Sequence, residues 1–270
     1  MRFKIITMVL MASVLAACST DDEEVYVANE VELLYNLASD MMERGNYKFS
    51  AIYFDEVERQ HPYSPWARRA MLMSAYSYYK TSDYDEAVLS AQRFLTLHPG
   101  NKSAPYAHYL IANSYYAQIS DVGRDQRVTM QALNALKEVV ARYPNSDYAR
   151  DAQLKVEMTR DHLAGKELDV GRFYQNEGQY LSAIGRFREV IEEYQTTSQT
   201  PEALHRLVES YLSIGLEEEA QQVASVLGYN YPQSKWYEYS YTLLTDKNLS
   251  PSSHKGGGEG WLGRLFGSIF

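Results

Sequence analysis

The stretch SDYDEAVLSAQRFLTLHP, residues 82–99, sets the reading of the whole chain. It opens on a short polar turn, places the small Ala87 at the start of a run with apolar positions at helical spacing, and stops at Pro99. The same design recurs along the chain. GNYKFSAIYFDEVERQHP ends at Pro62, 37 residues before Pro99, and GLEEEAQQVASVLGYNYP ends at Pro232, 37 residues beyond Gln195. Gln195 closes a fourth copy, GQYLSAIGRFREVIEEYQ, and a fifth, MQALNALKEVVARYP, ends at Pro144.

A second periodic element precedes each turn. Ala38, Ala75, Ala112, Gly171 and Val208 are followed three positions on by Met41, Tyr78, Tyr115, Tyr174 and Tyr211. A small residue lets two helices approach, and the large one beside it fills the gap between them. In the second helix of each unit Ser50, Ala87, Ala132, Ala183 and Ala220 stand four positions before Phe54, Ala91, Leu136, Phe187 and Ala224. Small residue, Tyr, Ala-x3-Phe and Pro at a period of about 34 form the tetratricopeptide (TPR) pattern. The sequence therefore predicts an all-α TPR superhelix of about five helical hairpins over residues 30–248. Ser64-Pro65 and Thr200-Pro201 each offer a capping residue ahead of a proline in the first helical turn. The third unit carries an insertion, ISDVGRDQ, between its helices. The fourth opens on YARDAQLKVEMTRDHLAGKELDVGRFY, one long or kinked helix with no breaker before Gly165 and Gly171.

The ends of the chain have a different character. Residues 1–17 join Arg2 and Lys4 to the uncharged run IITMVLMASVL and then to Ala16 and Ala17, the layout of a signal peptide. The run is too short to span a bilayer permanently. LAAC resembles a bacterial lipobox, which implies cleavage before Cys18 and its acylation. Several acyl chains hold a domain on a membrane durably, whereas one does so only marginally. Ser19 stands where an aspartate would be a retention signal, which implies onward sorting to the outer membrane. Residues 18–29 then read as an acidic tether and residues 249–260 as a flexible Gly-rich linker. The tail, 261–270, sets Trp261, Leu262, Leu265, Phe266 and Ile269 on one face of a short helix. Gly263 and Gly267 weaken that helix, so the tail suits a membrane interface or a partner.

Composition narrows the function. The formal net charge of −9 falls to −11 once Arg2 and Lys4 leave with the signal peptide. Nucleic-acid binding relies on Lys and Arg displacing counterions, so such a partner is not expected. Cys18 is the one cysteine, which leaves stability to packing rather than to disulfides. The six histidines are scattered without metal-ligand spacing, and no GxSxG, GxxxxGK or GxGxxG motif occurs. His61 and His98 directly precede repeat-ending prolines, which gives both a helix-terminal place. Acidic runs such as LEEEA read as solvated faces. The sequence predicts a binding protein with no catalytic residues, no cofactor and no metal.

First helices of stacked hairpins line a concave groove suited to extended peptides or partner helices. The lining positions select Tyr35, Tyr76, Tyr79, Tyr106, Tyr109 and Tyr116 in units one to three. In units four and five they select Leu168, Arg172, Gln175, Asn176, His205 and Glu209. One half of the expected groove is aromatic and the other polar. Tyrosine offers large contact area at low entropy cost and keeps a hydroxyl for backbone bonds. The same rings can also serve to cover neighbouring repeats.

A lipobox followed by five such repeats resembles the BamD family (also called ComL or YfiO), lipoproteins of the outer-membrane β-barrel assembly (Bam) machinery. The resemblance rests on YSPWARRAMLMSAYSYYK (63–80), AQRFLTLHP (91–99), Arg124 to Gln126 of the insertion, and ARYPNSDYARDA (141–152). The tail departs from the family pattern. The resemblance implies a scaffold at the periplasmic side of the outer membrane, anchored through Cys18 and working with other Bam lipoproteins. It implies binding of the central barrel protein, BamA, through its last POTRA domain by the carboxy-terminal repeats. It also implies that unfolded barrel proteins, whose signals end in an aromatic residue, meet the amino-terminal half. Arg186 in AIGRFREV matches a family arginine that pairs with a POTRA carboxylate. A different periplasmic TPR lipoprotein, such as a secretin pilotin or an enzyme-activating adaptor, would share the lipobox and repeats but lack the insertion and the 141–152 segment.

Overall fold

The computed structural model describes residues 29–250, which form eleven helices and no strand. They are α1 (Val31–Glu43), α2 (Tyr47–Gln60), α3 (Pro65–Lys80), α4 (Tyr84–Leu97), α5 (Ala104–Ala117), α6 (Arg127–Arg142), α7 (Asp147–Asn176), α8 (Tyr180–Glu193), α9 (Thr200–Ser213), α10 (Glu217–Asn230) and α11 (Lys235–Asp246). Ten of these helices pair in chain order into five hairpins, each packed on the next. Successive first helices (α1, α3, α5, α7, α9) also touch one another, more than successive second helices do. The array is a TPR superhelix with the first helices on its inner side.

Four of the five hairpin turns are made alike. Gly45, Ser82, Gly178 and Gly215 all take a left-handed backbone, with φ of 75°, 65°, 72° and 80°. Glycine adopts that conformation without steric cost, and Ser82 is the one non-glycine of the set. The third hairpin uses the 119–126 insertion instead. Its Val122 packs beside Gly165 and its Gly123 carbonyl accepts from Lys166 Nζ at 3.2 Å, so the insertion rests on the long α7.

The second helices explain the repeat chemistry. The residue four positions after the small one is Phe54, Ala91, Leu136, Phe187 or Ala224, and three positions further comes Val57, Phe94, Val139, Val190 or Leu227. All ten are fully buried. Where the first slot holds alanine, the second holds the bulkier Phe94 or Leu227, which keeps the core volume filled. The aromatic anchor of unit two is therefore Phe94 rather than a residue in the Ala91 slot. Across the fourth hairpin, a Cβ on Gly171 would collide with the Phe187 ring. This is why the small position of α7 is the smallest of the five.

Of the eleven described helices, three are capped at their start by a serine side chain. Ser64, Ser146 and Ser234 accept from the backbone N–H of Trp66, Ala149 and Trp236 at 3.1, 3.1 and 3.2 Å. Thr200 does not cap α9. Gln199 occupies the cap position, and the Thr200 hydroxyl bonds the Tyr194 and Gln195 carbonyls at 3.0 and 3.1 Å. These carbonyls lie just past the end of α8, where orphan acceptors need donors. His61 ends α2, and its Nε2 lies 2.7 Å from the Asn29 carbonyl; His98 ends α4.

Two features lie beyond the repeat pattern. α7 runs unbroken for 30 residues through both Gly165 and Gly171. α11 covers the open end of the last hairpin, packing on α9 and α10, with Leu244 fully buried and Tyr237 seated over Gly228. No described helix is long and apolar enough to cross a membrane.

Candidate functional site

Four of the six tyrosines selected from sequence come together. α3 supplies Tyr76 and Tyr79, and α5 supplies Tyr106 and Tyr109. A fifth, Tyr148, enters from α7 with its ring centroid 5.8 Å from Tyr106 and 5.1 Å from Tyr109. All five are half-buried. Burial, and then the hydroxyls of Tyr76, Tyr148, Tyr109 and Tyr79, push the Tyr106 phenol well above its ordinary value. It stays a protonated donor at any physiological pH. Outer rings support the cluster: Tyr47 meets Tyr76 edge-on at 6.1 Å, and Tyr84 lies 5.9 Å from Tyr79.

The cluster ends at a fixed charge pair. Tyr109 donates to Asp151 Oδ2 at 2.6 Å, and Lys155 Nζ reaches Asp151 at 2.7 Å and the buried Asn113 Oδ1 at 2.6 Å. The same ammonium lies 5.1 Å from the Tyr109 ring centroid and 5.5 Å from that of Tyr116. Burial works against the Asp151 carboxylate, but hydrogen bonds from Lys155 and Tyr109 outweigh it and hold it below the usual carboxylate range. Tyr116 marks the far edge, its hydroxyl 3.5 Å from Met158 Sδ. Tyr35 stands apart. Its ring packs on Phe54 at 5.3 Å and on Trp66 at 4.7 Å, inside the first inter-hairpin contact.

The sequence reading missed Tyr148, Asp151, Lys155 and Asn113. The first three recur at i, i+3 and i+7 on α7, so helical spacing would have placed them on one face.

The inner face of the fourth and fifth hairpins is built from ion pairs. Arg172 Nη1 lies 3.0 Å from Glu202, and the same guanidinium pairs with Asp169. Arg206 reaches Glu202 at 3.4 Å and Glu209 at 2.9 Å, and Gln175 donates to Glu209 at 3.2 Å. His205 is 5% exposed, with Nε2 3.4 Å from Glu209 and Nδ1 2.8 Å from Ser240 Oγ on α11. Burial alone would raise the Glu209 carboxyl, yet the hydrogen bond and charge of His205, then Arg206, bring it down to about 2. Asn176 is exposed. Leu168 does not line a groove: it is 1% exposed in the core shared by α7, α8 and α9, because the buried stripe of α7 continues through Ala164 and Gly171.

Arg186 lies on α8, outside the hairpin core. Its Nη1 is 2.8 Å from Glu167 Oε2 on α7 and 3.6 Å from Glu189 Oε2 one turn further along α8. Glu167, 19 residues away in sequence, carried no signal that would have paired it with Arg186. Cys18 and the tail residues Trp261, Leu265 and Phe266 lie outside the described residues.

The fold defines the class: a TPR repeat protein, here with a partly open aromatic face on its second and third hairpins and an ion-paired face on its fourth and fifth. The family model described as YfiO, outer membrane lipoprotein, matches residues 27–227. Outer membrane protein assembly factor BamD of Caulobacter vibrioides is 54% identical over 250 residues, 92% of this chain and 82% of that protein. Its counterpart in Rickettsia prowazekii is 43% identical over 237 residues, 88% of this chain and 94% of that one. Among solved structures, the TPR domain of P58(IPK) is 13% identical and superposes with a TM-score of 0.42, over 88% of this chain and 64% of that one. This chain belongs to the BamD (YfiO) family.

Proposed function

We propose that this protein is a non-enzymatic scaffold of outer-membrane protein assembly, held on the periplasmic side of the outer membrane by acyl groups on Cys18. Residues 1–17 are removed, 18–29 form the tether, 30–248 the repeat domain, 249–260 a linker, and 261–270 a tail that meets membrane or partner. Unfolded β-barrel proteins are received on the tyrosine face of the second and third hairpins. The BamA POTRA domain is bound at Arg186, alongside the other Bam lipoproteins. The observation that carries this reading is the division of the inner face. Five half-buried phenols gather at one end, while the other end satisfies its own charges. The descriptions of its relatives as outer membrane protein assembly factors support the same assignment.

The test uses the full-length lipoprotein and a photo-crosslinkable peptide ending in Phe. Losing two aromatic contacts costs about tenfold in affinity. Tyr76→Ala combined with Tyr109→Leu is expected to reduce crosslinking by that factor without loss of helical signal. Crosslinks mapping to α8–α10 would contradict the assignment.

A further inference from the structure

The surroundings of Arg186 constrain the kind of surface that binds there. Both neighbouring carboxylates, Glu167 and Glu189, face the same atom, Nη1. Among the described residues, Nε and Nη2 have no hydrogen-bond partner. This free edge is the fork that takes a carboxylate through two parallel bonds. The Arg186 side chain is 41% exposed, so the edge is accessible.

Charge bookkeeping then shows what is missing. One guanidinium already sits between two carboxylates, a group with one net negative charge. An acid docking on the free edge would bring a third carboxylate within a few ångströms, where like charges repel appreciably even at a solvated surface. Neighbouring cations of this chain are engaged elsewhere. Arg160 donates to the Glu193 carbonyl and lies 5.6 Å from the Tyr194 ring centroid, and Arg188 pairs with Glu192 at 3.2 Å. Burial first, then the Glu167 charge, raise the Glu189 carboxyl above the ordinary value despite Arg186. Glu167 is the more enclosed acid, its side chain 19% exposed against 45% for Glu189.

We infer that the partner surface meeting Arg186 presents a carboxylate with a lysine or arginine beside it, and that Glu189 receives that cation. The inference rests on the assignment of Arg186 as a partner contact. It makes recognition a two-point match of an acid and a base, so a partner carrying the acid alone is disfavoured.

The two kinds of partner give opposite signs in one measurement. The full-length lipoprotein and detergent-purified BamA of the same host would be titrated at low and physiological salt, with wild type, Glu189→Gln and Arg186→Glu. Glu189→Gln preserves shape at a half-exposed position, and circular dichroism checks its fold. An exposed ion pair lost at the interface weakens binding by about threefold. That weakening is the expected result for Glu189→Gln, larger at low salt. Unchanged or tighter binding by Glu189→Gln, as relief of repulsion toward a lone acid would give, overturns the inference while leaving the Arg186 contact intact. Wild-type binding by Arg186→Glu overturns that contact and the inference with it.

Discussion

Tyr106 and Arg172 occupy first helices of the same superhelix, yet their surroundings are made in different ways. Around Tyr106, rings from three helices lean on one another, each residue still partly open to solvent. Around Arg172, carboxylates from α7 and α9 satisfy the guanidinium, and the network passes through Arg206, Glu209 and His205 to Ser240 of the closing helix. The first region keeps contact area in reserve. The second spends its polar groups on holding the fourth and fifth hairpins and α11 together. A surface of the first kind can accept many extended chains, because ring faces tolerate varied side chains. A surface of the second kind is a rigid platform, and it places Arg186 on its flank. α7 belongs to both, with Tyr148 in its first turn and Arg172 in its last two.

The largest effect comes from separating the halves at Gly171. Gly171→Leu drives a side chain into Phe187 and is expected to destabilise by about 3 kcal/mol, the upper range for overpacking. Repeat proteins lose structure locally, because each unit contacts only its neighbours. Hydrogen exchange should therefore show protection lost across α8–α11 and retained in α1–α5. Uniform loss along the chain would show that the two regions fold as one unit.

A smaller effect concerns acid. Glu209 has a folded-state value of about 2 against an ordinary 4.5. Its contribution to stability is fully present above about pH 4.5 and disappears as pH falls toward 2. Glu209→Gln should lower stability by about 2 kcal/mol at neutral pH, the scale of a hydrogen bond to a charged group. That gap should narrow between pH 5 and pH 2, with α11 the first helix released. A gap that stays constant over this range would mean that Glu209 is not the titrating link.

How much of this was legible depends on whether a feature repeats. The hairpins could be read because a small residue, a large partner and a closing proline recur, and each has a packing reason. Even so, the Phe54 and Phe94 anchors sit in different slots, and only the volume exchange between neighbouring positions reconciles them. What occurs once stayed hidden. α11 lies beyond the last repeat, Thr200 serves the preceding helix end, and the Glu167–Arg186 pair joins two helices with no periodic counterpart. The first half of α7 has no equivalent in other units, so Tyr148, Asp151 and Lys155 were not counted among the groove residues. Leu168 shows the opposite case: the repeat register predicts a groove position, but the long helix turns that residue into the core.

The central claim is that one scaffold offers two independent surfaces, an aromatic one for unfolded chains and a charged one for the barrel partner. Parallel affinities for a Phe-terminated peptide and for purified BamA, measured on full-length Arg186→Glu and on the Tyr76→Ala, Tyr109→Leu double variant, test it most directly. Losing a charge pair across an interface costs on the order of 2–5 kcal/mol, about 30-fold or more in affinity. Arg186→Glu should lose BamA by that factor and bind the peptide as wild type does, while the double variant should show the reverse. A folded variant of either kind that loses both ligands together would contradict the account.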